Sequence, residues 1–482
     1  MILLPSARRK NGEEQPYISL GLFKLRLPFV HWEWEFPEMI QAMVVFVTGA
    51  AAIAYLEDIF GLSFEVALSI VIVHEALYLV NNFLGDPLIG GWITPAVPLI
   101  AVYLLQNSGT NRIWALLSLE MNLAILFIVL GITGLAGKLV DLCPRSLKAG
   151  ILVGSSFAAC MGKYGFMSLD KGGNGFWANP ISFSIGVLIS LYLIFSYGFG
   201  KLRFTSKNIF VSLMTKAGFV PALVIAGIVG MAVGEIRLPT PDFSSIIFNP
   251  IPGLQWVSHN FSLLGVGLPP FHIYVASIPM AIACYLIAFG DIVSGRAIAK
   301  EASVYRQDES VDMNTNRTNV CCGIRNLIEC LFSPTCTMSG PIWSAMNITV
   351  NERYKSGKDN MYSIFGGACT FNTTKVICCL IVPFMALVKP FLSLAMELTW
   401  MIQAFGCFYV GINMCRTNVE RGVAGLTGGA IAVCPNPSVG LLMGVVVCVV
   451  MEFIGTKKAD RAAQVASGLA ATVQANASDF EE

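Results

Sequence analysis

The sequence predicts an all-α polytopic membrane protein with 14 transmembrane segments, arranged as two inverted 7-segment repeats. Three observations lead there. Only 13% of the 482 residues are charged and 55% are hydrophobic, whereas a soluble domain carries roughly a quarter charged residues. Apolar stretches of about 20 residues, the length of one bilayer crossing, recur from end to end. The third stretch of each half is broken by Gly and Pro, as Gly90-Gly91-Trp92-Ile93-Thr94-Pro95 and as Ser339-Gly340-Pro341-Ile342-Trp343-Ser344.

In chain order, residues 1–37 read as a cytoplasmic and interfacial lead-in, with Trp32 and Trp34 at headgroup level. Segments 1 to 4 fall at 38–60, 63–84, 90–105 and 113–137. Segments 5 to 7 fall at 146–163, 181–199 and 217–235, and a polar, Pro-rich external loop spans 236–267. Segment 8 is 270–295, the short segments 9 and 10 share 320–351, and segment 11 is 361–387. Segments 12 to 14 take 391–414, 421–434 and 437–454, before a cytoplasmic tail, 455–482.

Charge supports this alternation. With both termini in the cytoplasm, twenty-five of the 31 Lys and Arg fall on the cytoplasmic side, Arg317 and Arg325 among them. Arg112, Lys163, Lys171, Arg237, Lys375 and Lys389 are left outside. The first thirty residues lack the pattern of a cleavable signal peptide, and the absence of targeting features suits a bacterial inner membrane. Net charge is +1, and no nucleic-acid partner is expected. The 14 Cys lie mostly inside apolar runs without a CxxC framework and read as small hydrophobes.

Interrupted segments at matching positions of two halves are the best sequence pointer to a transporter site. Two half-helix N-termini meeting at midplane would present free N–H groups and favour an anion or a polarised carbonyl. Thr94, Ser339, Ser344 and Asn347 are the hydrogen bonders there, and Trp92 and Trp343 could stack on a planar ligand. Ionisable residues inside spans are costly and therefore candidates for function. Asp58 closes segment 1, His74 and Glu75 sit mid-segment 2, and Asp291 ends segment 8 beside the second interruption. The His74-Glu75 pair reads either as a lock between spans or as a coupling site for H+ or Na+. Glu120 reads as a packing residue and Glu329 as a residue near the membrane surface. No P-loop, HExxH or GxSxG occurs, so the chain is expected to be no enzyme, with no metal and no cofactor beyond the coupling ion.

The layout resembles the nucleobase–ascorbate transporters (xanthine/uracil permeases) and the sulfate permeases and bicarbonate/borate carriers that share their fold. Cys143-Pro144-Arg145-Ser146-Leu147-Lys148-Ala149-Gly150-Ile151 resembles the Pro-led entry to segment 5. Asn319 to Pro334, with Gly323, Asn326 and Leu327, resembles the approach to segment 10. The resemblance implies a core domain (38–137 and 268–388) and a gate domain (144–235 and 391–454). It also implies a homodimer through the gate. It places Asp291, Trp92 to Ala96 and Ser339 to Asn347, Gly340 included, around the ligand. Asp291 has no nearby His and segment 10 opens without an acid, two departures from the nucleobase permeases. The expected function is a secondary active transporter of a small polar or anionic solute, nucleobase-like compounds included, by an elevator-like movement coupled to H+ or Na+. The alternative is a sulfate- or bicarbonate-type anion transporter or a passive anion channel.

Overall fold

A computed structural model describes residues 8–161, 175–205, 208, 211, 214, 220–434 and 436–453. The expected tail, Lys163, Lys171 and parts of expected segments 5 and 7 lie outside these residues. The architecture is helical. The first half runs α1 (Phe36–Phe60), α2 (Phe64–Phe83), α3 (Thr94–Leu105), α4 (Thr110–Thr133), α5 (Arg145–Met161), α6 (Pro180–Phe195) and α7 (Val220–Val233). After α8 (Ile251–Asn260) come α9 (Phe271–Tyr305), α10 (Thr315–Phe332), α11 (Ser344–Lys355) and α12 (Ile364–Leu380). The chain closes with α13 (Val382–Met414), α14 (Asn418–Val433) and α15 (Pro437–Cys448). Five of these, α1, α2, α4, α9 and α13, are long and apolar enough to cross a bilayer.

The helices pack in two groups. In one, α10 and α9 lie on α4, α1 lies on α12, α12 on α2, and α11 on α9. In the other, α5 packs on α14 and α13, α14 on α15, and α6 on α7 and α13. Close approach inside a bilayer needs small residues at the contact; Gly150 of α5 sits against Thr427 of α14. The long helices divide their surface as a lipid solvent demands. On α4, Leu116, Leu119, Leu123 and Phe127 are buried while Ile125, Val129 and Ile132 are exposed.

Four expectations change. The N-terminal segment folds as a hairpin, β1 (Ile18–Leu20) with β2 (Phe23–Leu25), and continues onto the end of α2 through Arg26 N–H and the Phe83 carbonyl, 2.8 Å. Trp32 is buried in this contact rather than at a headgroup surface. The loop 236–267 contains α8, which packs on α2. Helix α9 runs on to Tyr305, ten residues past the expected end at 295. Helix α12 stops at Leu380 because Pro383 follows and lacks an N–H. The freed groups at the break pair with the loop: Phe248 N–H donates to the Leu380 carbonyl at 2.8 Å, and Val382 N–H to the Ile246 carbonyl at 3.1 Å.

Candidate functional site

The two interrupted segments meet each other. Strand β3 (Gly91–Trp92) pairs antiparallel with β4 (Ser339–Gly340), Gly91 opposite Gly340 and Trp92 opposite Ser339. Backbone that leaves a helix at membrane depth must find partners inside the protein. Here each segment supplies them to the other. Contact is close enough to demand glycine on both sides. A Cβ on Gly340 would sit 2.7 Å from the Trp92 carbonyl oxygen, and one on Gly91 2.9 Å from the Trp343 nitrogen. Beyond the crossing the chains turn into the half-helices α3 and α11, so both helix N-termini flank it.

Side chains extend the short ladder. The Asn326 amide takes the Ser339 N–H (3.0 Å) and donates to the Ser339 carbonyl (2.8 Å). Asn347 does the same for Ile89, at 2.9 Å in both directions. Arg325 donates to the Gly340 carbonyl (2.5 Å) and to Asn81 Oδ1 (2.9 Å). Met338, just before β4, holds a φ of 53°, a left-handed conformation uncommon for a residue with a side chain and enforced here by the surrounding packing.

A cavity of about 70 Å³ opens beside the crossing, lined among others by Glu75, Tyr78, Trp92, Thr94, Trp343 and Lys375. Thr399 of α13 covers its other side, and Ser155 of α5 hydrogen-bonds the Pro95 carbonyl behind it. Lys375 Nζ lies 2.6 Å from Glu75 Oε2, and both side chains are 1% exposed. The rings of Tyr78 and Trp343 stand 4.6 and 5.4 Å from the same ammonium. Two charges in such surroundings persist only as partners, since either alone would carry a large desolvation cost.

His74 and Glu75 are not a pair. Adjacent residues on a helix point in different directions; Glu75 reaches Lys375, while His74 Nδ1 lies 2.7 Å from Glu329 Oε1. Its Nε2 lies 2.6 Å from the Tyr78 hydroxyl and 3.3 Å from Thr337 Oγ1. Ser339 Oγ donates to the same Glu329 oxygen at 2.5 Å, tying this network to the crossing.

Of the residues expected at the site, Trp92, Thr94, Trp343 and Glu75 line the cavity. Ser339 and Gly340 build the crossing, and Ala96 is buried in the first turn of α3. The Asn347 amide is engaged by Ile89 rather than turned to the cavity. Asp291 lies beside Ser344, at the head of α11, and not on the cavity wall. Asp58 sits exposed on the last turn of α1, away from the crossing, because the helix ends at Gly61 in a left-handed turn.

Four charged residues are buried among the helices rather than set in water. Lys375, expected outside, is buried on α12. Arg317 and Arg325, expected in the cytoplasm, are buried on α10, with Arg317 Nε 3.1 Å from Asp86 Oδ1. Glu329 is buried rather than near the surface. Charge counting along the chain cannot see a partner more than two hundred residues away. The available signal was local: Lys375 stands alone in the otherwise uncharged stretch of α12.

No protein-family model matches the chain, and no curated protein matches it. Solved structures do. The murine Solute Carrier 26 family member A9 (Slc26a9) anion transporter in the inward-facing state aligns with a TM-score of 0.50 and 14% identity, over 87% of this chain and 68% of that one. A second SLC26A9 structure aligns at 0.50 and 14%, over 86% and 65%. The transmembrane domain of a cyanobacterium bicarbonate transporter, BicA, aligns at 0.49 and 15%, over 85% and 96%. At such identity the likeness is one of fold: the chain is an integral membrane protein whose apolar helices follow the Slc26a9 transmembrane fold.

Proposed function

We propose that this protein carries a small anion across a membrane and binds it beside the β3–β4 crossing. The observation behind this reading is the convergence of two half-helix N-termini and the Lys375 ammonium on one cavity. Backbone N–H groups and a positive helix end favour an anion, and Lys375 adds a donor on the same wall. The fold likeness to a structure described as an anion transporter agrees with it. Trp92 and Trp343 contribute apolar walls, and Thr94 a hydroxyl.

The two helix packing groups support a division into core (38–137, 268–388) and gate (144–235, 391–454), with the cavity between α13 and the crossing. An elevator-like displacement of core against gate then exposes the site alternately to either side, with H+ or Na+ as the driving ion and a homodimer held through the gate. The test is flux of chloride, bicarbonate and sulfate, beside uracil and xanthine, into proteoliposomes of the purified chain. Saturable anion uptake that falls at least tenfold in Thr94→Ala supports the reading. Nucleobase uptake without anion uptake would return the protein to the permease alternative. Anion flux that never saturates and never concentrates would make it a channel.

A further inference from the structure

Each half of the chain carries a buried carboxylate on the helix before its interrupted segment: Glu75 on α2, before β3, and Glu329 on α10, before β4. Each reaches toward the helix that follows the other half's interruption. Glu75 meets Lys375 on α12. Glu329 is joined to Glu120 on α4 through His74, Thr337 and Thr335. Where one arrangement has an ammonium, the other has a second carboxylate.

Glu120 and Glu329 are both fully buried. Glu120 Oε1 takes the Thr335 N–H at 3.1 Å, and Glu329 Oε1 faces His74 and Ser339. The second oxygen of each, Oε2, is buried without a donor among the described residues. Among the described residues no lysine or arginine has a hydrogen bond or ion pair to either carboxylate. Arg325 keeps its charge but directs its guanidinium to Asn81 and the Gly340 carbonyl, and its Nε is buried without an acceptor. Lys375 is taken by Glu75. Tyr78, Cys322, Cys330, Cys336 and Tyr274 of α9 carry no positive charge. Two fully buried carboxylates joined by one hydrogen-bonded network, neither touching a lysine or arginine, do not both stay ionised at low cost.

We infer that His74, Glu120 and Glu329 together hold one exchangeable proton, and that this proton is the coupling ion of the transport reading above, on which the second half of the inference rests. A route to it is built. Tyr78 lines the cavity and its hydroxyl touches His74 Nε2; His74 Nδ1 touches Glu329. The Tyr78 O–H passes its proton to Nε2 as Nδ1–H passes one to Glu329, and the phenol recovers a proton from the cavity. Thr337 and Thr335, 3.0 Å apart, join His74 to the Glu120 side. Glu329 in turn accepts from Ser339, opposite Trp92 in the crossing, so the protonation state bears on the segment that lines the solute cavity.

The infrared carboxylic C=O band of the purified full-length protein, followed through a pH titration in H2O and D2O, tests the proton itself without any transport. The wild type is expected to show a protonated-carboxyl band at neutral pH that disappears in Glu120→Gln and in Glu329→Gln, and persists in Asp291→Asn. Should one Gln variant fail to fold, the other carries the test. A band unchanged in both, or one that responds to Na+ and not to pH, overturns the inference. In proteoliposomes, a gradient of one pH unit should concentrate chloride about tenfold for one coupled proton in the wild type and not in Glu120→Gln. Absence of chloride uptake by the wild type would count against the transport reading and leave the infrared assignment standing.

Discussion

Glu75 and Glu329 occupy comparable places and are balanced in different ways. Glu75 faces a fixed ammonium, Lys375, at 2.6 Å. Glu329 faces the His74 imidazole at 2.7 Å, and Glu120 is joined to that ring through Thr337 and Thr335. A fixed counter-charge makes a permanent pair, whose loss leaves a bare buried charge. A titratable partner makes a pair whose balance depends on a mobile ion. One arrangement is suited to holding the cavity wall, the other to responding.

That contrast can be broken by substitution. The largest effect is expected for Lys375→Met, which leaves Glu75 buried and alone and should cost about 3–5 kcal/mol in detergent unfolding. The double variant Glu75→Gln/Lys375→Met should recover most of it, and no recovery would mean that the pair is not the reason for the loss. Gly340→Ala should cost about 3 kcal/mol and abolish flux, because the added methyl meets the Trp92 backbone, which cannot step aside as a side chain could. Asn347→Ala, which strips both hydrogen bonds from Ile89, should cost about 2 kcal/mol; a cost near zero would show that the crossing does not depend on its side-chain supports. Glu120→Gln is expected to change stability by no more than about 1 kcal/mol, since it removes a charge with no cationic partner while keeping an acceptor for Thr335. A loss as large as that of Lys375→Met would erase the distinction between the two arrangements.

An effect of similar size concerns the clasp of Arg9, Arg306 and Asp308, which lies apart from both. Hydrogen bonding from Arg306 holds the Asp308 carboxyl down to about 2, with Arg9 acting in the same sense against partial burial. A carboxylate whose folded value lies below its ordinary one near 3.8 stabilises the fold above that value. Its contribution fades as pH falls from about 4 to about 2. Asp308→Asn should therefore lower stability at neutral pH by about 1 kcal/mol and flatten that part of the acid unfolding profile.

The apolar, helical character of the chain was legible because hydrophobic length is a local property. The paired interruptions were legible too, since Gly and Pro announce where a helix cannot continue; Trp92, Thr94 and Trp343 could be singled out on that ground, and Glu75 as an ionisable residue inside an apolar stretch. Reading charges residue by residue missed the burial of Lys375, Arg317, Arg325 and Glu329. It assumes that a charge near a helix end lies in water, and each of these four instead meets a partner from a distant part of the chain.

By itself, then, the sequence determined that the chain belongs in a bilayer and that two of its apolar stretches break. Those follow from the cost of placing polar backbone and charge in hydrocarbon, residue by residue. Only the tertiary structure decided that the broken segments pair with each other, that Glu75 belongs to Lys375 and His74 to Glu329, and that Glu120 is left without a cation. Such choices depend on which buried groups lie within a few ångströms once the helices have packed.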